Sequence, residues 1–65
     1  MMDLKWLSEG VRFMAKDRLG NKYEYTYKGV ENTENGYNIH LYNETTATDT
    51  YVEELWFKHR DITVI

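Results

Sequence analysis

The 65-residue chain contains no cysteine and no proline, only two histidines and only four glycines. Without cysteine there is no disulfide, no thiolate nucleophile and no cysteine-based metal site. The histidines, His40 and His59, fall on separate predicted elements, so they offer no converging ligand pair, and neither a metal nor another cofactor is expected. Ser8 is the only serine and has no histidine near it in sequence, which argues against a serine nucleophile. The glycines Gly10, Gly20, Gly29 and Gly36 are spaced as turn and bulge residues, not gathered into a phosphate-binding loop. The longest run of large apolar residues is Leu55-Trp56-Phe57, far below the roughly 18 residues of a membrane span or the core of a signal peptide. A soluble, cytoplasmic, non-enzymatic protein is the expectation.

What is abundant is aromatic: two Trp, six Tyr and two Phe. A chain this short folds as one domain, residues 1–65, and buries only about 60% of the surface it exposes when unfolded, so rings must supply most of the core. Val11-Arg12-Phe13-Met14-Ala15-Lys16 and Tyr23-Glu24-Tyr25-Thr26-Tyr27-Lys28 alternate with period two and read as half-buried strands. Between them Asp17-Arg18-Leu19-Gly20 suits a type I turn with a glycine bulge. Closing it with Asp17 opposite Asn21 pairs Ala15 with Tyr23, Phe13 with Tyr25 and Val11 with Tyr27, one apolar face for both strands.

Asn35-Gly36 signals a second hairpin through a type I′ turn, which would pair Val30 with Leu41 and Glu31 with His40. Placing Val30 on the core side requires a bulge at Gly29. Asn43 to Thr50 reads as a polar loop or wide hairpin. Tyr51-Val52-Glu53 opens a strand followed by a helical turn near 54–60, although Thr50 with Glu53 would also serve as a capping box for a longer helix. Asp61 to Ile65 is a closing strand, and Asp3, Leu4, Trp6 and Leu7, stopped by Gly10, form a short helix or irregular cap. The fold class is therefore all-β, a small antiparallel meander forming an SH3-like or OB-like barrel or half-barrel. The alternative is an α+β arrangement with one helix on a three- or four-stranded sheet.

Charge is distributed unevenly. The net charge is −3, yet between Gly29 and Trp56 the chain has Glu31, Glu34, Glu44, Asp49, Glu53 and Glu54 and no lysine or arginine. That stretch suits either a solvated surface or contact with a basic partner. With Tyr23, Tyr25, Tyr27 and Tyr37 assigned to the core, Tyr42, Tyr51 and Trp56 remain as aromatic anchors, with Glu44, Asp49, Glu53 and Glu54 as steering charges for a protein partner. The competing assignment is a nucleic-acid surface of Arg12, Lys16, Lys22 and Lys28, on which the first hairpin offers only Met14 and Thr26 for contact. A third possibility is strand addition at an exposed edge made by Ile62, Val64 and Ile65, including homodimer formation.

Val11, Asp17, Gly20, Tyr23, Lys28 and Gly29, with Leu41-Tyr42-Asn43 further on, resemble the hairpin of the small phage-encoded inhibitors of uracil-DNA glycosylase. The resemblance covers about a third of the chain. It implies a phage or mobile-element protein, non-enzymatic and often dimeric, that mimics DNA and occupies the basic groove of its target. Glu44 to Glu54 would then be the mimic.

Overall fold

The computed structural model describes residues 7–65. The expected N-terminal cap at Asp3, Leu4 and Trp6 lies outside the described residues. The elements are β1 (Arg12–Lys16), β2 (Lys22–Thr33), β3 (Gly36–Asn43), β4 (Thr48–Val52), α1 (Glu54–Lys58) and β5 (Asp61–Val64). All strands join one antiparallel sheet in the order β4-β3-β2-β1-β5, so four consecutive strands meander and the last returns to pair with the first. The protein is mostly β, with a short helical turn where the strand-then-helix reading placed it. The sheet stays open and does not close into a barrel, because β4 and β5 occupy opposite edges.

The first hairpin has the register its turn dictates: Ala15 pairs with Tyr23 and Phe13 with Tyr25. The Asp17 amide donates to the Asn21 carbonyl (2.9 Å), and Gly20 takes the left-handed conformation (φ 89°) that the turn requires. The bulge also falls at Gly29, where φ is 141° and the β2–β3 register shifts between Tyr27 and Gly29.

The second hairpin departs from expectation. Glu34 and Asn35 are the turn residues, Thr33 pairs with Gly36, and Val30 pairs with Ile39 and Glu31 with Asn38, instead of with Leu41 and His40. A type I′ turn needs positive φ at both central residues, but here only Gly36 has it (φ 130°). The displacement is two residues, so side chains keep their faces. Of the two readings of Asn43 to Thr50, the hairpin is the one formed, with Asn43 paired to Thr48 across the turn. β3 runs to Asn43, and the buried Asn43 side chain accepts N–H bonds from Thr45 (2.9 Å) and Thr46 (3.1 Å), an Asx turn that lets β4 begin at Thr48.

Phe13, Ala15, Tyr25, Ile39, Leu41, Val52 and Phe57 form the core, with Leu7, Tyr23, Tyr27, Trp56 and Ile62 packed against it. Phe13 stacks on Tyr25 (centroids 5.6 Å apart) and meets Phe57 at 5.7 Å. Tyr37, expected inside, is 47% exposed: it sits next to the second hairpin's turn, paired with Asn32, and lines an open cleft there with Glu54 and Leu55 of α1. A helix of five residues has no stability of its own. It is held by burial of Phe57, worth about 1.5–3 kcal/mol by area, and by Trp56 set edge-on to Tyr25 at 5.1 Å. Glu53 occupies the N-cap without a side-chain bond, so the capping box of the longer helix is not formed. The closing strand β5 is an edge, leaving Val64 and Ile65 exposed rather than enclosed.

Candidate interaction surface

Strand alternation and the two hairpin registers determine what stands on the sheet face that α1 leaves uncovered. β1 sends Arg12, Met14 and Lys16 outward, and β2 sends Lys22, Glu24 and Thr26. Tyr42 lies across from Thr26, and Tyr51 lies across from His40 on β4. The basic face of the first hairpin therefore does not offer only Met14 and Thr26. The later strands extend it with three further rings.

These rings are held in place. Tyr51 lies flat on His40, with centroids 4.6 Å apart and planes 14° apart, and is itself 52% exposed. His40 Nε2–H donates to Asp49 Oδ1 at 2.9 Å, so His40 is partnered by Asp49 and not by Glu31, the residue the expected hairpin register set across from it. The Lys28 ammonium lies 5.8 Å from the Tyr42 ring centroid, within cation–π range. Thr26 Oγ1 donates to Glu44 Oε2 at 2.7 Å, and Arg12 pairs with Glu24. The result is an aromatic patch of Tyr42, His40 and Tyr51 bordered by Lys28 on one side and by Glu44 and Asp49 on others.

The remaining predicted anchors are elsewhere. Glu53 and Glu54 follow β4 toward the tip of the second hairpin, where with Asn35, Gly36, Tyr37 and Leu55 they line an open cleft of about 340 Å³. Trp56 is half-buried on the covered side, against Phe13, Tyr25 and Phe57, with the Arg60 guanidinium 4.4 Å from its ring centroid. Its surroundings are those of a core residue. Of the seven residues, the fold brings together Tyr42, Glu44, Asp49 and Tyr51, and separately Glu53 and Glu54. His40 completes the first group and escaped sequence reasoning. Its signal was cross-strand adjacency to Tyr51, which depends on the β3–β4 register.

Among Arg12, Lys16, Lys22 and Lys28, Lys16 and Lys22 are cross-strand neighbours at the end of the hairpin, whereas Arg12 is paired with Glu24. No three His, Cys, Asp or Glu residues among the described residues converge as metal ligands. No helix among them is long and apolar enough to cross a membrane. Comparison with family models, with curated proteins and with solved structures finds no match to the chain.

Proposed function

We propose that this protein is a non-enzymatic interaction module that binds a basic surface on a partner protein, such as a nucleic-acid enzyme, and blocks it. The observation that carries the reading is the Tyr42, His40 and Tyr51 patch on an uncovered sheet face with Glu44 and Asp49 at its rim. Tyrosines fixed by neighbours give contact area at low entropic cost, and rim carboxylates steer a cationic partner more than they hold it. Tyr42 and Tyr51 are the anchors. Glu44, Asp49, Glu53 and Glu54 supply the field, and the hairpin resemblance to glycosylase inhibitors agrees with a basic target.

The test is affinity capture from host lysate with the wild type, with Tyr42→Ala/Tyr51→Ala, and with Glu44→Gln/Asp49→Asn/Glu53→Gln/Glu54→Gln. The tyrosine variant should lose the partner. The charge variant should associate about tenfold more slowly at low salt and resemble the wild type at high salt. Unchanged capture by both variants would overturn the reading.

A second reading is nucleic-acid binding through Arg12, Lys16, Lys22 and Lys28, favoured by their sharing a face with Tyr42, His40 and Tyr51. It requires a gel shift with mixed-sequence DNA or RNA that fades steeply with salt. The absence of any shift at tens of micromolar protein, roughly the weak end of non-specific binding, excludes it.

A further inference from the structure

At the end of the molecule carrying the β1–β2 turn, the chain gathers cations from two distant segments. Lys16, Asp17 and Arg18 from the first hairpin, and Lys58, His59, Arg60 and Asp61 from the junction of α1 with β5, line one open cleft of about 300 Å³. Lys16, Arg18, Lys58 and Arg60 are half of the eight lysines and arginines of a chain whose net charge is −3. Among the described residues none of these four has a carboxylate within ion-pair distance. The two acidic residues of the cleft offset only part of this charge, Asp17 through its attraction to Arg60. Both oxygens of Asp17 are turned into its own loop, accepting from the Leu19 and Asn21 amides (3.0 and 2.9 Å) and from Asn21 Nδ2 (3.3 Å). Asp61 stands across from Lys16 in the β1–β5 register without forming an ion pair.

Two of the donors are already oriented. Arg60 lies over the Trp56 ring and donates from Nη1 to the Trp56 carbonyl at 3.2 Å, which leaves the rest of its guanidinium for another acceptor. Arg18 Nη2 is 3.2 Å from His59 Nδ1. An arginine only donates, so Nδ1 is the acceptor and the imidazole proton is on Nε2, a second available donor. The carbonyls ending α1 account for the position of Arg60. They do not account for Lys16 or Arg18, which come from another part of the chain.

We propose that this cleft is a binding site for a phosphate group, with Arg18, Lys58 and Arg60 as its main donors and His59 as a further one. The forked donors of arginine match tetrahedral oxyanions, and four cations without carboxylate partners favour a dianion over a halide. The same chemistry suits a small phosphorylated molecule and a polynucleotide backbone. The proposal does not rest on the function proposed for the uncovered face, and its variants leave Tyr42, Tyr51 and the acidic residues untouched.

The test is a titration of the ¹⁵N-labelled protein with inorganic phosphate and, separately, with a short single-stranded oligonucleotide, followed by amide chemical shifts. Saturable shifts confined to residues 16–19 and 58–61 are expected. Arg18→Gln and Lys58→Gln should each weaken phosphate binding about three- to tenfold, while Asn35→Asp, an equal change of net charge in the exposed turn of the second hairpin, should leave it within about twofold. Oligonucleotide displacing phosphate from these amides identifies a backbone as the source, and phosphate binding without displacement identifies a small phosphorylated molecule. Either result upholds the site. Shifts that do not saturate, or equal weakening by Asn35→Asp, would overturn it.

Discussion

The two faces of this sheet are built from alternate residues of the same strands but are held by different forces. On the covered face Phe13, Ala15, Tyr25, Ile39, Leu41 and Val52 make a dry aromatic and aliphatic layer against Phe57. On the other face the contacts are pairwise: Arg12 with Glu24, Thr26 with Glu44, His40 with Asp49, and two involving aromatic rings, His40 with Tyr51 and Lys28 with Tyr42. Exposed ion pairs and cross-strand pairs contribute about 1 kcal/mol or less each, while a buried Phe or Leu contributes several. A single sheet with one short helix therefore concentrates its stability on one side, and the other side is free to serve recognition.

The largest effect that tests this contrast is Phe13→Ala. Phe13 is fully buried, and its loss should cost about 3–5 kcal/mol, as much as so small a core supplies in total. The variant should be largely unfolded at room temperature by circular dichroism. Tyr51→Ala on the opposite face should stay within about 0.5–1 kcal/mol of the wild type in urea unfolding. If the two substitutions cost the same, the division of labour between the faces is wrong.

Next in size is Gly29→Ala. No atom approaches within 4 Å of the missing side chain, so the cost is that of the backbone at φ 141°, about 1–2 kcal/mol. This bulge is what keeps Val30 on the same face as Ile39 and Leu41 after Lys28. Equal urea midpoints for Gly29→Ala and the wild type would show that the strand accommodates a side chain there and that the inward pattern does not depend on glycine.

Local chemistry explains which parts of this arrangement are legible in the sequence. Asp17-Arg18-Leu19-Gly20 permits one good turn and Gly29 one sensible bulge, so their registers follow from a few neighbouring residues. Asn35-Gly36 admits two solutions, glycine within a type I′ turn or just after a two-residue turn at Glu34-Asn35. The choice between them rests on pairings further along β3, including Ile39 against Val52. The same dependence on distant pairing hid the companions of Tyr42 and Tyr51. Both were recognisable as aromatic residues in an acidic segment, but their place beside Lys28 and His40 depends on two hairpin registers at once. The basic cleft was less visible still, since Arg18 and His59 are 41 residues apart and meet only because β5 returns to pair with β1.

A smaller effect separates the turn from both faces. Desolvation within the loop pushes the Asp17 carboxyl upward, but the Asn21 backbone and side-chain amides, the Leu19 amide and the Arg60 charge outweigh it and hold the group below its ordinary value of 3.8. A carboxylate lowered on folding stabilises the native state above its unfolded-state value, and that contribution disappears as pH falls through the folded-state value. Asp17→Ala should accordingly lower the urea midpoint at pH 7, and the gap to the wild type should narrow as pH falls below 3.8. A gap independent of pH would mean that the turn is held by Gly20 and the backbone alone.

The smallest effect concerns a single hydroxyl on the covered face. Burial pushes the Tyr25 phenol above its ordinary value of 10.0; the Arg60 charge opposes this, and Tyr23 and Asp17 reinforce it. An acid raised on folding leaves stability intact below its unfolded-state value and removes it as pH climbs through the folded-state value, because the unfolded chain releases the proton first. Near pH 7, Tyr25→Phe should therefore differ little from the wild type, since no other group among the described residues hydrogen-bonds to that hydroxyl. Above about pH 10 the wild type should lose stability faster than Tyr25→Phe, and the order of their urea midpoints should favour the variant. Parallel alkaline profiles would place the Tyr25 hydroxyl in water in the native state, and the covered face would then be shallower at β2 than its stacking on Phe13 requires.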